Sequence, residues 1–232
     1  MPNRQLQAQN DALTALLKQA GIDAQAGVVA AQIQKVLLDE VHHRMKNMLA
    51  VVTAIVRQTL RATTAVEEAE AAICTRLMAM ANAHDLLLKA NIKAAALSAV
   101  IEGAIGQHNT AAGRIDITGG ELEVSPASIL PLTLALNELC TNATKYGALS
   151  NDTGRVALRW APDAAGKNLA VTWVESGGPP VAAPQKRSFG TRLIEDALPR
   201  QLGGTGTLAF APGGVVFTLS VPLNALRPTQ TN

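Results

Sequence analysis

Between residues 38 and 55, apolar side chains at Leu38, Val41, Met45, Met48, Val52 and Ile55 recur at alternating spacings of three and four. That is a heptad seam, the pattern of helices packed at a shallow angle. A second stripe, Ile73, Leu77, Ala81, His84 and Leu88, also has helical spacing. Thr63 and Thr64 interrupt the two, and Thr64 with Glu67 and Glu68 predicts a capped start for the second helix. Two helices and a short link make a hairpin. One hairpin is a single layer and cannot bury its seam alone, so the pattern predicts a homodimer in which two hairpins form a four-helix bundle. In this register His43 faces outward, while His84 lies on the apolar stripe as a core histidine bonded to a neighbour.

The pattern changes near residue 93. Ten of the eleven prolines and most glycines lie beyond it. Strands are expected at 114–118, 122–124, 156–160, 169–175, 208–210 and 215–221, the last two as a hairpin around Pro212, Gly213 and Gly214. Ser125 as N-cap and Pro126 at the first helical position open a long helix to about Tyr146, with Gly147 as its stop. A shorter helix is expected from Thr191 to about Leu202. Strands that meet a helix and then pair as hairpins predict an α+β sandwich. The division reads as a helical linker or partner segment over 1–35, a dimerisation hairpin over 36–92 and an α+β domain over 93–228. A hinge is expected around 90–96.

Composition narrows the function. The chain has 232 residues and a formal net charge of +2, too small an excess to argue for a nucleic-acid or membrane surface. Aromatic residues make up 3%, which counts against base-stacking platforms. Cys74 and Cys140 sit in apolar helical patterns and make neither a disulfide framework nor a four-ligand zinc site. No apolar run reaches membrane-spanning length, and the N-terminus has no signal-peptide pattern, so a cytoplasmic protein is expected.

Four segments carry candidate chemistry. His43 is an exposed imidazole with Arg44 and Lys46 beside it, a group able to accept a phosphoryl group; a merely solvated helix face is the plainer alternative. Glu138 and Asn142 are four apart on one helical face, where their oxygens would suit Mg²⁺, and Lys145 adds charge for phosphate; an ordinary polar face is the equal alternative. Alternation over 169–175 puts Leu169, Val171, Trp173 and Glu175 on the inward side of a strand. A carboxylate there needs a partner, and an adenine amino group is one. Ser176-Gly177-Gly178-Pro179 permits close approach to the backbone, and Ser188-Phe189-Gly190-Thr191-Arg192 opens a helix whose amides favour phosphate.

Taken in order, His43-Arg44-Met-Lys-Asn47, Asn137-Glu138-Leu-Cys-Thr-Asn142-Ala, Trp173-Val-Glu175-Ser-Gly-Gly-Pro-Pro180 and Phe189-Gly190-Thr191-Arg192-Leu-Ile resemble the HWE-type bacterial sensor histidine kinases of the GHKL ATPase superfamily. The resemblance spans roughly residues 36 to 223. It implies a dimerising hairpin followed by a Bergerat-type α/β sandwich ATPase domain that binds ATP with Mg²⁺. It implies His43 as phosphate acceptor, Glu138 as catalytic acid or base and Asn142 as Mg²⁺ ligand. It also implies Lys145 at the phosphates, Glu175 at the adenine amino group, and Tyr146, Gly177, Phe189, Gly190, Thr191 and Arg192 around the nucleotide. The phosphate would pass to an aspartate on the receiver domain of a separate response regulator, and residues 1–35 would meet a separate sensor protein. Three departures stand out: Asn137 where the family has a histidine, Ser188 where a glycine usually precedes the Phe-Gly pair, and no long insertion between 148 and 190. Two other readings compete. One is a non-enzymatic phosphotransfer hub with a degenerate ATPase domain; the other is a GHKL-type ATPase or anti-sigma kinase in which His43 is incidental.

Overall fold

The computed structural model describes residues 2–63, 65–89, 94–106, 108, 113–184 and 187–227. Its contacts group into two compact units, residues 1–54 and 55–232. The expected cap at Thr64, most of the expected hinge and the chain beyond 227 lie outside the described residues.

Helix α1 runs unbroken from Pro2 to Ala62, through residue 35. Along the predicted seam Leu38, Val41 and Met45 are 52%, 52% and 54% exposed. Ile55, by contrast, is 1% exposed and belongs to the second unit, so its own chain covers it. The predicted seam is therefore not one continuous open surface.

The second unit continues with α2 (Val66–Lys89), whose first turn carries Glu67 and Glu68, favourable charges at a helix N-terminus. Next come β1 (Ala95–Ala96), α3 (Leu97–Ile105), β2 (Ile115–Gly119), β3 (Glu123–Val124) and α4 (Pro126–Lys145). After α4 follow a 3₁₀ turn at Ala148–Ser150, β4 (Arg155–Pro162) and β5 (Asn168–Ser176). The chain then forms α5 (Phe189–Arg192), a π-helical turn at Leu193–Ala197, α6 (Leu198–Gln201), β6 (Thr205–Ala211), β7 (Gly214–Pro222) and α7 (Leu223–Leu226). Pro126 opens α4 with Ser125 in extended backbone, as expected, but the Ser125 hydroxyl meets the Ser128 hydroxyl at 3.0 Å rather than a backbone amide.

The five-stranded sheet has the order β2-β4-β5-β7-β6, with β2 parallel to β4 and every other pair antiparallel. In register, Trp173 lies opposite Leu158 on one side and Phe217 on the other. All three are buried, in a core that α3, α4 and α6 close from one face. The result is a layer of helices on a mixed sheet, as the sequence predicts.

The second stripe needs correction. His84 is exposed, not a core histidine, and Leu88 is exposed with it. The buried positions of α2 are Ala69, Ala79, Met80 and Ala83, because α2 packs against α4 and α3 and turns its small residues toward them. Helix α3 was not anticipated, although Leu97, Val100, Ile101 and Ala104 bury one face at helical spacing.

Candidate functional site

Glu175 sits where strand alternation places it. It is 3% exposed, on the same face of β5 as the buried Leu169, Val171 and Trp173. Its Oε2 accepts from the Ala148 amide at 2.8 Å and its Oε1 from the Trp173 indole at 3.2 Å. Burial pushes its pKa above the ordinary carboxylate value, and those two hydrogen bonds oppose the rise. Burial, with the Glu175 charge adding to it, also pushes the nearby Cys140 thiol up to about 12.

Glycines let the surrounding backbone close on this carboxylate. A β-carbon on Gly147 would collide with Glu175, and one on Gly178 would stand 2.5 Å from the Ala148 Cα. Gly177 adopts φ +69°, a left-handed conformation that favours glycine. Asn151 fastens the loops: its Nδ2 donates to the Gly177 carbonyl at 3.0 Å, and its Oδ1 accepts from the Gly154 amide at 2.8 Å.

Glu138 lies on α4 and is 5% exposed. The Arg76 guanidinium, from α2, donates through Nε to Glu138 Oε1 at 2.5 Å and through Nη2 to Oε2 at 2.9 Å. Arg76 Nη1 also donates to the Thr59 hydroxyl at 2.6 Å, and that hydroxyl in turn donates to the Ile55 carbonyl at 2.7 Å. The ring of Phe189 covers the guanidinium, 4.2 Å from centroid to Cζ. Gly190 completes the enclosure, since a β-carbon there would stand 2.5 Å from Glu138 Oε2.

The remaining predicted residues spread around these two carboxylates. Asn142 is half-buried, and its carbonyl accepts from the Tyr146 and Gly147 amides at 2.8 and 3.0 Å, ending α4. Lys145 and Tyr146 are exposed. Phe189, Gly190 and Thr191 are buried, and Ser188 caps α5 by accepting from the Thr191 amide at 3.2 Å. Arg192 is exposed and donates to the Arg187 carbonyl at 3.3 Å. Asn137 is 1% exposed; its Nδ2 lies 3.4 Å from His108 Nε2, and its Oδ1 finds no partner among the described residues. Burial pushes the His108 pKa down.

His43 belongs to the first unit. It is exposed on α1, and its Nδ1 lies 3.3 Å from the Asn47 amide nitrogen one turn on. His42 is exposed as well.

Sequence reasoning missed Arg76 and Thr59. A signal for the first existed: Arg76 is the one Asp, Glu, Lys or Arg between Glu70 and Asp85, within an otherwise small and apolar helix. No group of three or more His, Cys, Asp or Glu able to hold a metal occurs among the described residues. Among them, too, no helix is long and apolar enough to cross a membrane.

Residues 40–121 match the family described as HWE histidine kinase. The blue-light-activated histidine kinase of Brucella ovis is 39% identical over 197 residues, covering 83% of this chain and 40% of that protein. Its counterpart in Brucella anthropi is 39% identical over 199 residues, covering 84% and 40%. The chain thus spans about 40% of the length of these relatives. In fold it is similar to the blue-light activated histidine kinase of Erythrobacter litoralis, with a TM-score of 0.58 at 22% identity, covering 80% of this chain and 58% of that one. The histidine kinase domain of that protein gives a TM-score of 0.54 at 17% identity, covering 75% and 95%. The chain is a histidine kinase domain homologous to those of the HWE-type sensor kinases.

Proposed function

We propose that the chain phosphorylates its own His43 from ATP and passes the phosphoryl group to an aspartate of a separate response regulator. The observation that carries this reading is Glu175: a carboxylate 3% exposed at the end of an inward-facing strand row, with glycine loops closing around it. An adenine amino group would add a donor to it. Domain limits of 36–92 and 93–228, a homodimer through the first and a sensor contact through 1–35 belong to the same reading.

The residues suit the nucleotide and its cation. Asn142 offers one neutral oxygen, a fitting share for Mg²⁺, which takes most of its ligands from water and phosphate. Bound there with Asn142, the cation would neutralise charge on the phosphates. Lys145 would add a positive charge, and the Gly190 amide would meet a phosphate oxygen, while the Thr191 amide would first have to leave the Ser188 hydroxyl.

His43 Nε2 attacks the γ-phosphorus; the N–P bond forms as the P–O bond to ADP breaks, and ADP leaves with the electron pair. Glu138 takes the imidazole proton. For Nε2 to carry the attacking lone pair, Nδ1 must hold the ring's proton. In the structure Asn47 presents its Nδ2 to Nδ1 at 3.3 Å, so the amide must turn away before Nδ1 can carry that proton. In the second step the ring regains a proton from solvent at Nδ1, the aspartate oxygen forms the O–P bond as the N–P bond breaks, and the electron pair returns to Nε2, leaving neutral imidazole.

The test is incubation with γ-labelled ATP and Mg²⁺. Label on the protein that is lost in acid and retained in base is the expected result. Absence of such label from a folded, ATP-binding protein would favour the docking-hub alternative.

A further inference from the structure

Glu138 as the structure shows it is a poor acceptor for an imidazole proton. Both carboxylate oxygens lie in the Arg76 fork, which takes one in-plane lone pair from each and lowers the basicity of both. Gly190 packs close to Oε2 and the group is 5% exposed, so the paired carboxylate presents little surface to an incoming ring nitrogen. The arginine is itself over-determined. Thr59 holds its third nitrogen and the Phe189 ring covers its face. One guanidinium therefore joins the last turns of α1, helix α2, helix α4 and the start of α5.

The geometry points to Arg76 as a positioning residue that holds Glu138 in a resting arrangement, so that autophosphorylation requires the Arg76–Glu138 pair to open. This rests on the kinase reading above, with Glu138 as base. Arg76 touches no reacting atom; it acts through Glu138. The device has a paired state, which the structure shows, and an open state in which both carboxylate oxygens are released. Movement of α2 relative to α4 opens it. The Thr59 bond ties the same guanidinium to α1, so a rotation of α1 about its axis also pulls on the pair.

The test compares wild type with Arg76→Gln and Thr59→Val in single-turnover autophosphorylation at varied ATP, with amide exchange followed along residues 66–89. Arg76→Gln is expected to raise the maximal rate at least threefold, leave the half-saturating ATP concentration unchanged and speed exchange in α2. Thr59→Val keeps the carboxylate paired but loosens the fork, and is expected to raise the rate by a smaller factor. Where Arg76→Gln fails to fold, the Thr59→Val rate decides. A maximal rate equal to or below wild type, in Arg76→Gln if it folds and otherwise in Thr59→Val, overturns the inference while the kinase reading stands. No label on any of the three proteins overturns both.

Discussion

Trp173 and Glu175 are two residues apart on one strand, and the indole N–H of the first donates to the carboxylate of the second at 3.2 Å. Period-two geometry puts both side chains on the buried face, and the indole supplies one of the two hydrogen bonds that make a buried charge tolerable there.

That arrangement sets a pH dependence with an unusual sign. The folded-state pKa of Glu175 is raised above 4.5, so folding favours its protonated form. Its contribution to stability is present at low pH and declines as pH rises through the raised value, opposite to the usual paired carboxylate. An adenine amino donor prefers the ionised form, so ATP affinity is expected to rise with pH over that window. Glu175→Gln is expected to lower ATP affinity about tenfold or more and flatten its pH profile. Isothermal titration between pH 5 and 8 measures both; parallel profiles for the two proteins would remove Glu175 from the adenine site.

His43 and His42 are both exposed neighbours, but among the described residues only His43 has a partner at Nδ1. His43→Gln is expected to cut acid-labile label by about 100-fold or more with ATP affinity intact, and His42→Gln by less than about threefold. Mapping the label by mass spectrometry checks the assignment. Label on His42 would place the reactive face one residue out of register.

Asn142→Ala removes the one neutral side-chain oxygen assigned to the cation. It is expected to weaken the Mg²⁺-dependent part of ATP binding about tenfold, leaving binding without Mg²⁺ little changed. Titrations with and without Mg²⁺ separate the two, and an equal loss in both would point to general disturbance of α4.

Along the seam, two substitutions are expected to behave differently. Met45 is 54% exposed, so Met45→Glu should weaken self-association, read by sedimentation velocity, without lowering the melting temperature of the second unit. Ile55 is 1% exposed and packed by its own chain, so Ile55→Glu should destabilise folding itself by roughly 3 kcal/mol or more. A monomer at all concentrations for wild type would rule out the dimer.

Local pattern alone determined much of this molecule. The inward row Leu169, Val171, Trp173 and Glu175 was legible because a strand's side-chain period is two; once one face is buried, every position is assigned. Pro126 and Gly147 marked the ends of α4: proline suits the first helical turn, while Gly147 follows the Tyr146 cap in extended backbone, where a β-carbon would strike Glu175. Helix α2 was legible as a helix but not in its orientation. Its apolar and small residues cover more than one face, and which face is buried depends on what packs against it. Contact with α4 and α3 chose the alanine face and left His84 in solvent. The pair of Arg76 and Glu138 was out of reach for the same reason. The two residues are 62 positions apart on different helices, and no spacing rule relates them. Only the packing of α2 on α4, with Thr59 and Phe189 closing around the guanidinium, decides that the carboxylate on α4 is held by an arginine rather than open to solvent.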